Sequence, residues 1–290
     1  MFYRKIIING IISIHYSYFN MKFSIGTKEK CDVFAHIFQT IKSLTDITNI
    51  CFSKERMFIQ TMDKMSISIC EVSLDKDWFT EYVVDDCEED EDITIGINVA
   101  IFCKILNVRG DKSTIQCSFD SEEDRLQLNV LSGSNAELDK VFGIPLVDID
   151  PNYLDIPDTD YNANVTLVSK NWKQTVDEIA QFGDIITITC NGEGFTLEAA
   201  NDDTTMKTLL PNEKLVSYEF SYECDEDDDE DNADFSISSG YSSRYLTIIA
   251  QGSKWSSNVS VHITENMPIR IVYSIDENSY VNMFLAPKMD

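Results

Sequence analysis

Three residue types in this 290-residue chain invite a search for chemistry: eight cysteines, three histidines and fifty carboxylates. The cysteines are Cys31, Cys51, Cys70, Cys87, Cys103, Cys117, Cys190 and Cys224. They could bridge or bind metal, but no two stand in a C-x-x-C pair. With no secretory signal, the expected state is reduced, intracellular and mostly buried thiol. His15, His36 and His262 are too scattered for a zinc site. Carboxylates are abundant, yet abundance does not set two of them across a cleft, so no glycosidase-style pair is read. The chain carries no G-x-x-x-x-G-K, no G-x-S-x-G and no H-E-x-x-H. Gly192-Glu193-Gly194 reads as a hairpin turn and not a phosphate cradle, because no helix follows it. No catalytic residue, metal site or cofactor is expected, so the residues point to a binding protein and not an enzyme.

The elements that would position a binding surface are mostly strands. Asn49–Phe52, Met57–Thr61, Ser66–Leu74, Ser113–Phe119, Arg125–Leu131, Ile185–Cys190 and Asn258–Ile263 alternate with period two and are rich in Ile, Val, Thr and Phe. Four stretches carry helical periodicity: Cys31–Thr45, Asn98–Arg109, Ser169–Phe182 and Gly240–Lys254. In the first, Val33, Phe34, Ile37, Phe38, Ile41 and Leu44 recur at three- and four-residue steps and form one apolar face. Helix, strands, helix, strands runs once and begins again near Asn164, a repeat of roughly 130 residues that implies two similar domains. Between them Val147–Asp160, with two prolines and five aspartates, reads as an exposed, extended connector. The acidic runs Asp85–Asp92 and Asp225–Asp234 read as solvated loops; neither has the turn glycine of a calcium loop. In residues 1–20, Arg4 and Lys5 precede an apolar run from Ile6 to Ile14 that is interrupted by Asn9 and Gly10 and too short to span a bilayer. This segment reads either as an N-terminal extension or as a start codon placed too early, with Met21 the functional beginning.

Charge is the anomaly. Lys and Arg number 23 against 50 Asp and Glu, a net of −27. Such a surface repels nucleic acid and anionic lipid, so neither would be expected as a partner on charge alone. Yet the four helical stretches together carry +4. Charge is segregated.

Several segments also carry a resemblance. Ile59-Gln60-Thr61-Met62-Asp63 with Ser66–Leu74, Ile95-Gly96-Ile97-Asn98 leading into Lys104-Ile105-Leu106, and the ending Phe284-Leu285-Ala286-Pro287-Lys288-Met289-Asp290 resemble the eukaryotic and viral sliding clamps of the proliferating cell nuclear antigen family. Tyr153-Leu154-Asp155-Ile156-Pro157, Gly183-Asp184 and Arg244-Tyr245-Leu246 extend the similarity over about Met21 to Asp290. The resemblance implies an α+β clamp fold. Residues 1–20 would be an extension, 21–146 an N-terminal clamp domain, 147–160 the interdomain connector and 161–290 a C-terminal clamp domain. Antiparallel sheets would lie outside and four helices inside a ring of three identical subunits. It further implies a DNA polymerase processivity factor acting in replication and repair, with no enzymatic activity of its own. An ATP-dependent loader would open the ring, no membrane would be involved, and the setting would be the nucleus, or a viral replication compartment if the gene is viral. The alternative is a clamp-fold adaptor that no longer encircles DNA.

Encirclement answers the charge objection, because a closed ring needs only a lining that does not repel phosphate. The DNA-facing set implied is Lys42, Lys104, Arg109, Lys170, Lys173, Arg244 and Lys254. Lining positions that are basic in the family fall here on Ala35, His36, Asn107, Gln174, Asp177 and Gln251, which predicts a weak phosphate binder. The partner-peptide pocket implied is Met62, Ser66, Ile67, Ile69, Leu154, Ile156, Pro268, Phe284, Ala286, Pro287 and Met289; it would take a glutamine, an aliphatic residue and two aromatics on a helical turn. The subunit contact is expected to pair the edge Leu138–Ile144, with Phe142 as an apolar plug, against the edge Phe195–Ala200, through Leu138, Phe142, Ile144, Phe195 and Leu197.

Overall fold

The computed structural model describes residues 3–8, 11–16, 20–85, 92–120, 123–133, 138–150, 153–221 and 235–288, with backbone only for 3–8 and 11–16. Met289, Cys87, Cys224 and the acidic runs, apart from Asp85 and Asp92 at the ends of the first, lie outside the described residues. Among those residues there are four α-helices and mostly antiparallel strands, an α+β architecture. Contacts divide the chain into two compact units. The first holds Met1–Asp32, Ile47–Phe58 and Asp75–Pro151; the second holds Val33–Asp46, Ile59–Leu74 and Asn152–Asp290.

In the first unit a five-stranded antiparallel sheet runs in the order Lys140–Pro145, Arg125–Leu131, Thr114–Phe119, Met21–Ile25, Glu81–Val84. Its buried face is aromatic: Phe23 lies 5.9 Å from Phe52 and 5.0 Å from Phe79, ring centre to ring centre. The second unit has a four-stranded antiparallel sheet in the order Thr205–Pro211, Gly194–Ala200, Ile185–Asn191, Ser236–Ser242. A further run in this unit orders Ser217–Phe220, Ala163–Val168, Asn258–Ile263, Ile269–Ser274, Tyr280–Leu285 and Ser68–Asp75. Trp172, Phe195 and Tyr273 are buried in this unit's core. The first chain segment pairs Tyr3–Ile8 with Ile11–Tyr16 as an antiparallel hairpin, which the sequence reading did not anticipate.

Helix α1 (Lys28–Leu44) begins three residues before the expected Cys31, because Thr27 supplies a cap: its Oγ1 accepts from Lys30 N–H and its carbonyl from Cys31 N–H. Helix α2 (Val99–Leu106) is started by Asn98, whose Oδ1 accepts from Ile101 N–H at 3.0 Å. It stops short of the expected Arg109, and that guanidinium instead donates back to the Leu106 carbonyl, satisfying a helix end. Helix α3 (Ser169–Ile179) buries Trp172, Val176 and Ile179 at three- and four-residue steps. Helix α4 (Ser243–Ile249) continues as a 3-10 turn to Lys254. The expected start at Gly240 is corrected: Gly240 pairs with Thr187 in a strand, and the helix begins only after Ser242 pairs with Ile185.

The edge expected at Phe195–Ala200 lies in the strand Gly194–Ala200, which is internal, because Thr205–Pro211 pairs along its whole length from Gly194↔Pro211 to Ala200↔Thr205. Phe195 and Leu197 are accordingly fully buried, as is Ile144, so all three are core residues rather than edge contacts, and Phe142 is only half-buried. The alternation on Lys140–Pro145 turns Val141 outward at 71% exposure, with Leu138 beside it at 84%. The outer strand on that side of the four-stranded sheet is Thr205–Pro211, with Leu209 at 53%.

Candidate functional site

A tight turn in the second unit organises one surface. Between the strands Arg56–Met62 and Ser68–Asp75, the chain reverses through Asp63-Lys64-Met65-Ser66-Ile67, with Ser66 at a φ of 58°. Asp63 holds this turn from inside. Its Oδ1 accepts from the N–H of Ile67 and of Ser68 at 2.7 Å each, and its Oδ2 accepts from Met65 N–H at 2.8 Å and from the Tyr245 hydroxyl of α4. Burial alone would raise the Asp63 carboxyl; the Tyr245 hydroxyl and the three backbone donors outweigh it and hold the group below its ordinary value. The Tyr245 hydroxyl is pushed up to about 12 by burial and by that hydrogen bond, so it stays a donor at neutral pH.

The expected connector is held near its start by Val147 N–H on the Gly96 carbonyl at 2.9 Å and by Asn49 Nδ2 on the Ile149 carbonyl at 3.2 Å, and further along at Leu154. Gln60 grips the Leu154 backbone from both sides: its Nε2 donates to the carbonyl at 2.9 Å and its Oε1 accepts from the N–H at 2.6 Å. The Gln60 amide also donates to Glu71 Oε1 at 2.9 Å, and Asn282 Nδ2 donates to Glu71 Oε2 at 3.3 Å. Leu154 is thereby fixed in place while 39% of its surface stays open, with Ile156 half-buried beyond it.

The expected pocket residues that are described all fall in this unit. Phe284 pairs with Ile69, and Ala286 N–H donates to the Ile67 carbonyl at 3.0 Å, so the chain end runs alongside the turn. Met62, Ile67, Ile69, Ala286 and Pro287 are half-buried, Ser66 and Pro268 exposed, and Phe284 buried. Sequence reasoning missed Asp63, Tyr245 and Gln60 as site residues, although each stood within a quoted segment. The signal for Asp63 was the aspartate opening a short polar reversal between two apolar strands.

The expected DNA-facing cations divide into two kinds. Arg109 Nη2 lies 2.6 Å from Asp32 Oδ1, and Lys173 is paired with Asp177 one helical turn on. Lys42, Lys104, Lys170, Arg244 and Lys254 are exposed and make no ion pair among the described residues. Between α1 and α4 lies a groove of about 290 Å³ lined by His36, Gln39, Thr40, Ser43, Thr247, Ile248, Gln251 and Lys254. All of these residues but Ile248 are polar or charged, and Lys254 is the one lysine or arginine among them.

No group of three or more metal-ligating side chains occurs among the described residues, and none of their helices is long and apolar enough to cross a membrane. The six described cysteines are free and buried, and burial pushes the thiols of Cys31 to about 11 and of Cys70 and Cys190 to about 12, which leaves no thiolate nucleophile among those three at neutral pH.

The comparisons with known proteins decide what these surfaces belong to. Residues 25–153 match "Proliferating cell nuclear antigen, N-terminal domain" and residues 155–288 match "Proliferating cell nuclear antigen, C-terminal domain". The chain belongs to the proliferating cell nuclear antigen family. It is similar to the proliferating cell nuclear antigen of Chaetomium thermophilum, 23% identical over 262 residues that cover 90% of this chain and 96% of the relative. It is also similar to proliferating cell nuclear antigen 2 of Plasmodium falciparum, 22% identical over 268 residues covering 88% and 95%. Membership makes it a DNA sliding clamp and polymerase processivity factor of replication and repair, in a family of clamps and not enzymes. An adaptor that has lost the clamp role is not favoured.

Proposed function

We propose that three copies of the chain close head to tail into a ring around duplex DNA. In this reading 21–146 and 161–290 are the clamp domains, 147–160 is the connector and residues 1–20 are an extension. The unpaired lysines and arginine of α1–α4 face the duplex. The observation that carries it is the separation of charge: a chain of net −27 leaves five cations on its helical segments exposed and with no ion pair among the described residues. Confinement by a ring then replaces attraction, and weak contacts permit sliding.

Ring closure in this reading joins the edge strand Lys140–Pro145 of one subunit to the edge strand Thr205–Pro211 of the next. Exposed Leu138 and Val141 meet Leu209 there, and pairing removes two open edges that would otherwise invite aggregation. Client proteins, the polymerase among them, insert the clamp-binding peptide beneath Leu154 and Ile156, against Met62, Ile67, Ile69, Pro268, Ala286 and Pro287. A separate ATP-dependent loader opens the ring. The setting is the nucleus, the compartment named in both relatives.

Light scattering tests the assembly. About three times 33.1 kDa is expected for the natural chain, and a mass near one copy for Leu209→Asp. A trimer should remain on covalently closed plasmid and slip off the same DNA once linearised. Equal retention on both, or a monomer at micromolar concentration, overturns the reading.

A further inference from the structure

The six strands from Ser217–Phe220 to Ser68–Asp75 contain a single lysine or arginine, Arg270. Its place is specific. Arg270 pairs across the sheet with Phe284 on one side and with His262 on the other, and Phe284 pairs in turn with Ile69. Pro268, two residues earlier, shares its outward face. Arg270 thus stands between three residues of the client pocket and the rest of the sheet.

The guanidinium lies over the Phe284 ring, 6.0 Å from its centre, which orients the cation without neutralising it. Its Nε is buried with no hydrogen-bond partner, and it makes no ion pair among the described residues. Glu71, two strands away on the face that Ile69 shares with Arg270, is already held by Gln60 and Asn282. His262 adds no competing charge at neutral pH. Burial and the Arg270 guanidinium push its imidazole down to about 4, and its Nδ1 is bonded to Asn164. In a chain of net −27, a lone cation kept unpaired beside an apolar pocket is a feature that packing does not require. An arginine in this setting offers a two-pronged donor to a carboxylate and loses more on being left without one than a lysine would.

We propose that Arg270 is a specificity-determining contact for clients, receiving an aspartate or glutamate side chain placed next to the aromatic anchor that enters the Phe284 side of the pocket. The inference rests on the pocket reading given above. It distinguishes clients by an acidic residue beside their apolar anchor, where the apolar residues alone would accept any of them.

Fluorescence anisotropy on the full chain tests it. The probe is a labelled synthetic peptide with the glutamine, the aliphatic residue and two aromatics, made neutral in its flanks, and a series in which one aspartate is moved through the positions within and just after the aromatic pair. At one position the aspartate peptide should bind about five- to tenfold tighter than its asparagine counterpart at low salt. Arg270→Gln should erase that preference while binding the neutral peptide as before, and Arg270→Lys should restore part of it. If no aspartate position is preferred, or the preference survives Arg270→Gln, the proposal is overturned while the pocket stands. If Arg270→Gln weakens neutral and acidic peptides equally, Arg270 supports the fold or the connector and reads no client. If no peptide binds the natural chain at all, the pocket reading has failed and the proposal falls with it.

Discussion

The turn at Asp63 and the outer faces of the helices use charge in opposite ways. At the turn, a buried carboxylate is saturated by three backbone N–H groups and a tyrosine hydroxyl, and the nearby Glu71 is taken up by two amides. On the helices, Lys42, Lys104, Lys170, Arg244 and Lys254 stand exposed with no ion pair among the described residues. The first arrangement spends its charge on shape. Buried polar groups stabilise only when every partner is present, so a saturated carboxylate fixes one backbone geometry. The second leaves its charge available to a mobile polyanion, for which strong fixed pairs would be a hindrance.

The largest way to break this comparison is at Asp63. Asp63→Ala leaves the buried N–H of Ser68, the part-buried N–H groups of Met65 and Ile67 and the Tyr245 hydroxyl without their acceptor, and about 3 kcal/mol of stability should be lost. Chemical denaturation measures that loss, and the clamp-binding peptide should no longer bind. Asp63→Asn keeps the size and one acceptor, and it isolates the charge. Because the folded-state carboxyl is held below its unfolded value near 3.9, its contribution is present in full above about pH 4 and disappears as pH falls through the folded value. The stability difference between natural chain and Asp63→Asn should therefore be constant from pH 5 to 7 and shrink below pH 4. A difference that does not change with pH would show that the charge contributes nothing and that shape alone matters.

Tyr245→Phe is the next smaller step, since it removes one hydrogen bond from the same carboxylate and leaves the ring in place. About 2 kcal/mol of stability should go, and peptide binding should weaken severalfold as Met62 and Ile67 lose a fixed turn between them. The salt dependence of DNA binding should stay as it is, because neighbouring Arg244 keeps its exposed position. A changed salt dependence with unchanged peptide binding would mean that Tyr245 acts through α4 and not through the turn.

Alternation and helical periodicity made most of the fold legible: the four helices appeared within a few residues of their places, and Arg125–Leu131 and Asn258–Ile263 came out with their bounds intact. What stayed hidden was decided by pairing partners. Gly240 has glycine's indifference to secondary structure, and only its register with Thr187 puts it in a strand. Phe195 and Leu197 looked like edge residues because Thr205–Pro211, with two threonines, a lysine and a closing proline, is weakly patterned and was not read as the strand that covers them. At the site, the apolar pocket was visible as residue types, whereas Gln60 and Asp63 act through backbone groups that a sequence does not display. Arg109 and Lys173 stand in the expected DNA-facing set, but a residue list does not display the carboxylates that engage them, which geometry sets four residues on for Lys173 and on another helix for Arg109.

That last distinction between occupied and unoccupied cations yields the smallest effect and the sharpest comparison, because it lies within one helix. Lys170 and Lys173 both sit on α3, but only Lys173 has its charge engaged, by Asp177. Binding to a short linear duplex, followed by anisotropy across a range of salt, reports how many cations displace counterions. Lys170→Ala should flatten the logarithmic salt slope by about 0.9, the value for one phosphate contact on duplex DNA. Asp177→Asn releases Lys173 and should steepen the slope by up to about the same amount, although no basic residue has been added. If charge were simply summed over the chain, the two changes would still move affinity in opposite directions, but neither would alter the slope by a whole contact. A flattened slope for Lys170→Ala with an unchanged one for Asp177→Asn would place Lys173 out of reach of phosphate even when free. An unchanged slope for both would remove α3 from the DNA-facing surface altogether.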